Sequence, residues 1–267
     1  PCVVRVPAGR YRLAPDPRCP IADFRCRDLQ TGENSGTVTV WKGEKINAHL
    51  IVNDLDNVTL RGEGEKSVLV FTDSSKGGIR VCGCNEVSVE DLAMDYPDNP
   101  STQGTVVKVE ENPFALVLKR DAGYPDPDLP RFLNAPSRYF SPVGEGLMYL
   151  PGGVARMGTV EKLGDGLFRL KPYAHHLKNE VWRSRKVGDR ICIMARFAES
   201  EGGGPLRFLL SAFCGCRNVR AYDSPGQVFT QSQSYATYVI GCKAIGRDGS
   251  DDIVTSNADA FLGGGLI

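Results

Sequence analysis

The segment Ile79-Arg-Val-Cys-Gly-Cys-Asn-Glu-Val-Ser-Val-Glu-Asp-Leu92 decides the fold. It holds a short apolar strand, a turn of small and polar residues, and then Val-Ser-Val, which alternates as a half-buried strand does. The same local pattern recurs on either side. Leu50-Ile-Val-Asn-Asp-Leu-Asp-Asn-Val-Thr-Leu-Arg-Gly62 precedes it and Leu209-Leu-Ser-Ala-Phe-Cys-Gly-Cys-Arg-Asn-Val-Arg-Ala-Tyr222 follows it. Thr237-Tyr-Val-Ile-Gly-Cys-Lys-Ala-Ile-Gly246 is a weaker fourth copy. Val58, Val87 and Val219 align on one place in the first three copies. A strand–turn–strand unit repeated at irregular spacing predicts a parallel β-helix, whose coils stack so that like residues form ladders. On this reading the Cys-Gly-Cys turns at Cys82 and Cys214 stack on one another. An antiparallel sandwich also uses short alternating strands, but the turns here lack the Asn-Gly signal of tight hairpins.

Towards the N-terminus, residues 3–13 alternate and read as a strand, a Pro7-Ala8-Gly9 turn and a second strand. Residues 14–36 are rich in Pro, Cys, Asp and Gly, lack periodicity and read as loop; Thr37 to Trp41 reads as a short strand. Between the second and third copies the pattern changes. Asp165-Gly166 is a hairpin turn flanked by alternating strands, and Val187-Gly-Asp-Arg-Ile-Cys-Ile-Met194 gives a turn and one more strand. Glu199-Ser-Glu-Gly-Gly-Gly-Pro205 reads as a return linker. The expected organisation is therefore all-β: β-helix coils over 1–112, a small antiparallel β-barrel inserted over 113–205, and coils resumed over 206–267.

Lys plus Arg equals Asp plus Glu at 32 each, so no net field recommends nucleic acid or an anionic membrane surface as partner. No apolar run reaches the roughly 18 residues of a membrane span. The chain begins at Pro1 without an initiator Met or a signal peptide, which reads as a processed chain or a fragment. Nine cysteines are many for a reducing compartment, and a secreted or periplasmic protein is expected. Cys2, Cys19 and Cys26 are the candidates for a disulfide. Cys82, Cys84, Cys214, Cys216 and Cys242 sit in or beside apolar strands, where cysteine acts as a small buried hydrophobe. Neither the Cys-x-Cys pairs nor His175-His176 have zinc-ligand spacing, so no metal and no cofactor is expected.

The chemistry-bearing stretch is Asp251-Asp-Ile-Val-Thr-Ser-Asn-Ala-Asp-Ala-Phe261. Glycoside hydrolysis needs two carboxyl groups facing each other across the bond, and an inverting enzyme holds them about 6.5–9.5 Å apart. Neighbouring coils of a β-helix can supply that spacing. Asp259 is the candidate catalytic carboxylate; its bland alternative is to cap a turn between coils. Asn257 bonds a sugar hydroxyl or belongs to an Asn ladder. Asp95, Tyr96 and Gln103 line a groove entrance or stabilise a loop locally. Arg247 contacts substrate or pairs with Asp248, Asp251 or Asp252 as a weak exposed ion pair. Tyr222, Phe229 and Tyr235 stack on a sugar face or fill the core. Gly202–Gly204 lacks the Lys and Ser/Thr of a phosphate loop, and nothing ties Ser211 to His175 as a triad.

The order of Asp95-Tyr96, Pro100 and Thr102-Gln-Gly-Thr-Val-Val107, an interrupting barrel, coils resuming at Leu209, and Ser256-Asn-Ala-Asp-Ala-Phe261 resembles glycoside hydrolase family 110. The resemblance runs from about Pro7 to the end of the chain. It implies a right-handed, pectin-lyase-like parallel β-helix and an exo-acting, inverting α-1,3-galactosidase. It also implies a galactose-containing oligosaccharide or polysaccharide as partner, and a homo-oligomer is compatible with it. In that family an Ala-Asp-Gly motif carries one catalytic carboxylate, matched by Asp259 with Ala260 in place of Gly. Ser101 stands where the family tends to have an aromatic residue. The family's Asp-Asp pair comes about one coil later, beyond Ile267, so the chain is expected to lack the general acid. A polygalacturonase-like hydrolase, a lyase and a non-catalytic carbohydrate-binding β-helix are the competing readings. Polygalacturonases carry Asn-Thr-Asp-Gly where this chain has Asn257-Ala-Asp-Ala260.

Overall fold

The computed structural model describes all residues except 20–22, 28–33, 40–46, 134, 151–154, 174–182, 196–203, 248, 251, 255–259 and 265–267. The chain divides into two compact units, one of Pro1–Asp98, Ala198–Ser250 and Thr255–Ile267, the other of Asn99–Phe197 and Asp251–Val254.

In the first unit the chain visits three sheets in a fixed order, five times over. The first coil is β1 (Cys2–Arg5), β2 (Gly9–Leu13), a hairpin of β3 (Asp23–Arg27) and β4 (Asn34–Thr39), and then β5 (Ala48–Asn53). The second coil is β6 (Val58–Arg61), β7 (Ser67–Phe71) and β8 (Gly77–Cys82); the third opens with β9 (Ser88–Glu90) and β10 (Ala93–Asp95). The second unit then supplies β11 (Ser101–Glu111), β12 (Phe114–Arg120), β13 (Pro136–Val143), β14 (Gly146–Tyr149), β15 (Ala155–Gly164), β16 (Leu167–Pro172) and β17 (Arg190–Met194). The third coil finishes with β18 (Leu206–Leu209). The fourth is β19 (Gly215–Arg217), β20 (Arg220–Tyr222) and β21 (Phe229–Ser232), and the fifth is β22 (Tyr238–Ile240), β23 (Lys243–Ile245) and β24 (Phe261–Gly264).

The first strands of the five coils form one parallel sheet, β1-β6-β9-β19-β22; the second strands form β2-β7-β10-β20-β23; the third form β5-β8-β18-β21-β24. Three five-stranded parallel sheets visited in rotation are consistent with a β-solenoid, and the parallel pairing removes the sandwich alternative. Inward rows stack like on like, as the ladder argument requires. Leu50, Ile79, Leu206 and Phe229 share one row, and Val52, Val81 and Phe208 the next but one. Leu69, Met94 and Ala221 line the same core from the second sheet. Phe208 is fully buried, and cutting it to Ala would cost about 3–5 kcal/mol.

The corners between sheets are made by residues in the left-handed region, repeated coil after coil. Asp54, Gly83, Leu210 and Gln233 directly follow four residues paired in one row and have φ of 52°, 60°, 50° and 47°. Three residues later in each coil, Asn57, Glu86, Phe213 and Ala236 repeat the conformation. Asp91, Asn218 and Gly241 do so at the next corner. The backbone N–H groups freed at a corner find acceptors on the coil above: Cys84 N donates to Ser211 Oγ at 3.2 Å, Ser211 N to Ser234 Oγ at 3.2 Å, and Val87 N to Cys214 Sγ at 3.2 Å.

Three sequence expectations are corrected. Val219 does not share the row of Val58 and Val87: Ser88 pairs with Thr59 and Gly215, while Arg220 pairs with Ala93, so Val219 stands level with Leu92. The Cys-Gly-Cys segments do not stack on one another. Cys82 pairs with Leu209, and Cys216 pairs with Val89, so the first Cys-Gly-Cys ends a strand and turns while the second begins one. Residues 14–36 are not all loop, since β3 and the start of β4 pair antiparallel there. A two-stranded hairpin is held by backbone bonds and needs no apolar period.

The second unit is a seven-stranded antiparallel sheet in the order β14-β13-β15-β16-β12-β11-β17, with a further pairing of β13 to β17. Its core gathers Val106, Leu116, Leu118, Phe168, Leu170, Ile191 and Ile193 from alternating strand positions. Asp165-Gly166 is the turn between β15 and β16, with Gly166 at φ 67°.

Candidate functional site

In the first unit, the outer face of the second sheet carries a charged groove. On a strand, alternate residues face opposite ways. Tyr11, Leu69 and Met94 point into the core, so their neighbours Arg10, Arg12, Val68, Val70 and Asp95 face out. These residues, with Glu65, Tyr96, Pro97, Tyr222 and Arg247, line a cavity of ≈ 670 Å³.

Asp95 organises the groove, and its side chain is almost completely buried. Its Oδ2 accepts from Arg10 Nη2 at 2.8 Å. Its Oδ1 accepts from Arg247 Nε at 3.0 Å and from the Tyr96 backbone N–H at 2.8 Å. Arg247 in turn donates through Nη2 to the Tyr96 carbonyl at 2.7 Å and through Nη1 to Asp223 Oδ2 at 2.9 Å. Asp223 is buried and sits directly after β20 with φ 41°, at a bend that aims its carboxylate at Arg247. One guanidinium thus bridges carboxylates from the third and fourth coils. Asp95 and Asp223 are both ion-paired to it, so among the described residues they do not form an acid pair of the kind hydrolysis uses. Glu65 pairs with Arg220 at 2.6 Å across the same face.

Tyr96 contributes its backbone to this network and its ring to the core. The ring meets Phe71 edge-on, with centroids 5.6 Å apart. Its hydroxyl has no hydrogen-bond partner among the described residues, and burial pushes the phenol well above its ordinary value.

Gln103 belongs to a different network, inside the second unit. Its Nε2 donates to Asp121 Oδ2 at 2.9 Å, and its Oε1 accepts from the Ile253 backbone N–H at 2.9 Å. Asp121 is also gripped by both terminal nitrogens of Arg190. Nearby, Asp252 Oδ1 accepts from Tyr124 OH at 2.6 Å and from Asn99 Nδ2 at 2.9 Å. Asp121, Tyr124, Glu145, Arg190 and Asp252 line a second cavity of ≈ 780 Å³.

Of the residues singled out from the sequence, Asp95 and Arg247 come together, while Gln103 lies in the other unit. Asn257 and Asp259 lie outside the described residues. Arg247 pairs with the buried Asp95 and Asp223; Asp248 and Asp251, two of its three expected partners, lie outside the described residues. Phe229 is core, stacked on Phe261 with centroids 5.3 Å apart, and Tyr235 packs edge-on against Phe213; only Tyr222 of the three candidate aromatics lines the groove. The expected disulfide does not link Cys2 to Cys19. Both are free thiols, and Cys19 Sγ instead accepts from the Ala48 backbone N–H at 3.4 Å. The side chain of Cys26 lies outside the described residues. Arg10, Arg12 and Asp223 were missed. Asp95 closes β10 and Asp223 lies just past the end of β20, but the shifted alignment of the repeat hid that correspondence.

No model of a known protein family matches the chain, and no curated protein sequence does either. The fold and groove define an all-β protein with several parallel sheets and a solenoid-like architecture. That architecture is compatible with a carbohydrate-active enzyme or binding protein of the β-helix type.

Proposed function

We propose that the chain is part of a glycoside hydrolase that releases a terminal α-1,3-linked galactose with inversion. In this reading the first unit is a right-handed, pectin-lyase-like β-helix and the second closes into a small barrel. The observation that carries the proposal is the groove centred on Asp95. Its paired charges offer fixed acceptors and donors to sugar hydroxyls, and Tyr222 offers a ring beside them. Asp95, Arg247 and Arg10 then bind and orient the sugar. The family resemblance assigns the proton-accepting role to Asp259.

The test compares this chain with a version extended at its C-terminus, on a chromogenic α-galactoside and on an α-1,3-linked digalactoside. Activity in the extended form that is abolished by Asp259→Asn supports the proposal. Absence of turnover in both forms overturns it.

A second reading, a non-catalytic carbohydrate-binding β-helix, is favoured by one observation: Arg247 ties up both buried carboxylates of the groove. It predicts that galactoside binding survives Asp259→Asn unchanged and that no turnover is seen.

A further inference from the structure

Cys216 lies in β19 of the fourth coil, and Cys242 follows β22 of the fifth, just past the left-handed corner at Gly241. Parallel pairing puts Cys216 level with Val239, three residues before Cys242. The two Sγ atoms lie 3.6 Å apart. Cys216 is completely buried, and Cys242 is only partly so.

We propose that Cys216 and Cys242 are an oxidisable pair that closes into a disulfide between the fourth and fifth coils when the folded chain meets a small-molecule disulfide. A disulfide has an S–S bond of about 2.05 Å. The sulfurs therefore need to close by only about 1.5 Å, within the reach of side-chain rotation. Cys242 is the entry point because a reagent can reach it. The thiolate of Cys242 attacks one sulfur of the reagent, breaks its S–S bond and expels one thiolate, leaving a mixed disulfide on Cys242. Cys216 then loses its proton to the expelled thiolate and attacks the Cys242 sulfur, expelling the second half of the reagent. The balance is protein dithiol plus one disulfide giving protein disulfide plus two thiols.

The surroundings suit this order. The neighbouring Cys216 thiol lowers the Cys242 thiol from its ordinary value, which favours the thiolate that starts the exchange. Cys214 is completely buried and is pushed up to about 12 by that burial, and Cys84 is buried and raised for the same reason. Those two thiols serve as internal controls that the reagent does not reach in the folded chain.

The link has a structural target. It joins the two coils that meet in the Arg247–Asp223 ion pair, since Asp223 follows β20 and Arg247 follows β23. Oxidation would therefore fasten the coil that carries Arg247 to the one beneath it.

The experiment uses the folded chain in a Cys2→Ser background, which removes the thiol that is exposed among the described residues and could join two copies. The chain is incubated with glutathione disulfide, remaining thiols are alkylated, and the digest is mapped by mass spectrometry. The expected result is a cross-linked peptide pair containing Cys216 and Cys242, lighter by two hydrogens, with Cys84 and Cys214 alkylated only after unfolding. The melting temperature should rise on oxidation in this background and stay unchanged on oxidation of Cys242→Ser, which removes one sulfur of the pair. A glutathione adduct that persists on Cys242, an unreacted Cys242, or an equal rise in Cys242→Ser would overturn the proposal.

Discussion

Asn218 Nδ2 donates to Asp91 Oδ1 at 2.9 Å, joining the same left-handed corner of two successive coils. The residues are 127 apart in sequence and have φ of 53° and 51°. Asn and Asp tolerate this conformation better than most side chains. Asn218→Ala loses both the bond and that tolerance, and stability should fall by about 1–2 kcal/mol. Asn218→Gly loses only the bond and should fall by less. Chemical denaturation of the two variants side by side separates the backbone contribution from the hydrogen bond.

Arg247 bridges two buried carboxylates, and removing it leaves both without their shared cation. Breaking a buried pair from one side costs about 3–5 kcal/mol, lessened here because Arg247 is partly open to water. Arg247→Met should destabilise the first unit by about 2–4 kcal/mol. Adding Asp223→Asn should recover part of that loss. A double-mutant cycle measured by urea unfolding checks it, and additive losses would refute the bridge.

Tyr96 works through its backbone and its ring, not its hydroxyl. A buried hydroxyl without a partner costs about 1–3 kcal/mol relative to a satisfied or absent one. Tyr96→Phe should therefore leave stability unchanged or raise it by about 1 kcal/mol, and should not weaken any galactoside binding. A loss of more than that in the denaturation midpoint would mean the hydroxyl is engaged.

His49 predicts a pH dependence. It is buried, its Nδ1 lies 2.7 Å from the Gly77 carbonyl, and its Nε2 accepts from the Asp73 backbone N–H at 3.1 Å. The second bond requires an unprotonated Nε2. Burial lowers its pKa below the ordinary 6.5. The unfolded chain thus takes up a proton before the folded one does. The stability from neutral His49 is complete above about pH 6.5 and is lost as pH falls through the depressed folded value. Thermal melts from mildly alkaline to mildly acidic pH should show the decline, and His49→Gln should flatten it.

The existence of the strands was legible because Val-x-Val alternation is a direct signature of a half-buried strand, and it picked out β6, β9 and the copies beyond them. The register was not. The two Cys-Gly-Cys segments resemble each other in composition, yet pairing is set by corners, and corners here are made by Leu210, Phe213 and Ala236 as well as by Gly83 and Asn57. The first three have no preference for positive φ, so tertiary pairing imposes the bend and the local sequence does not announce it. Asp95 and Arg247 were each legible as polar residues near coil ends. Their contact was not, because it joins residues 152 apart across a stack whose register was misaligned. Asp223 was hidden by the same shift.

The insertion within the third coil bears on the order in which the chain assembles. The second coil docks on the third across a separation of 29 residues, as in the Arg61–Glu90 pair, whereas the third meets the fourth across 127, as in Asp91–Asn218. Chain-closure entropy grows only with the logarithm of length, so the longer step costs just about 1.3 kcal/mol more. The length of the detour is then nearly a free variable, and the pairing of β18 to β8 restores the path whatever lies between. Nucleation is expected on the early, short-range coils, with the late coils added as a template-guided extension once the detour has folded on its own.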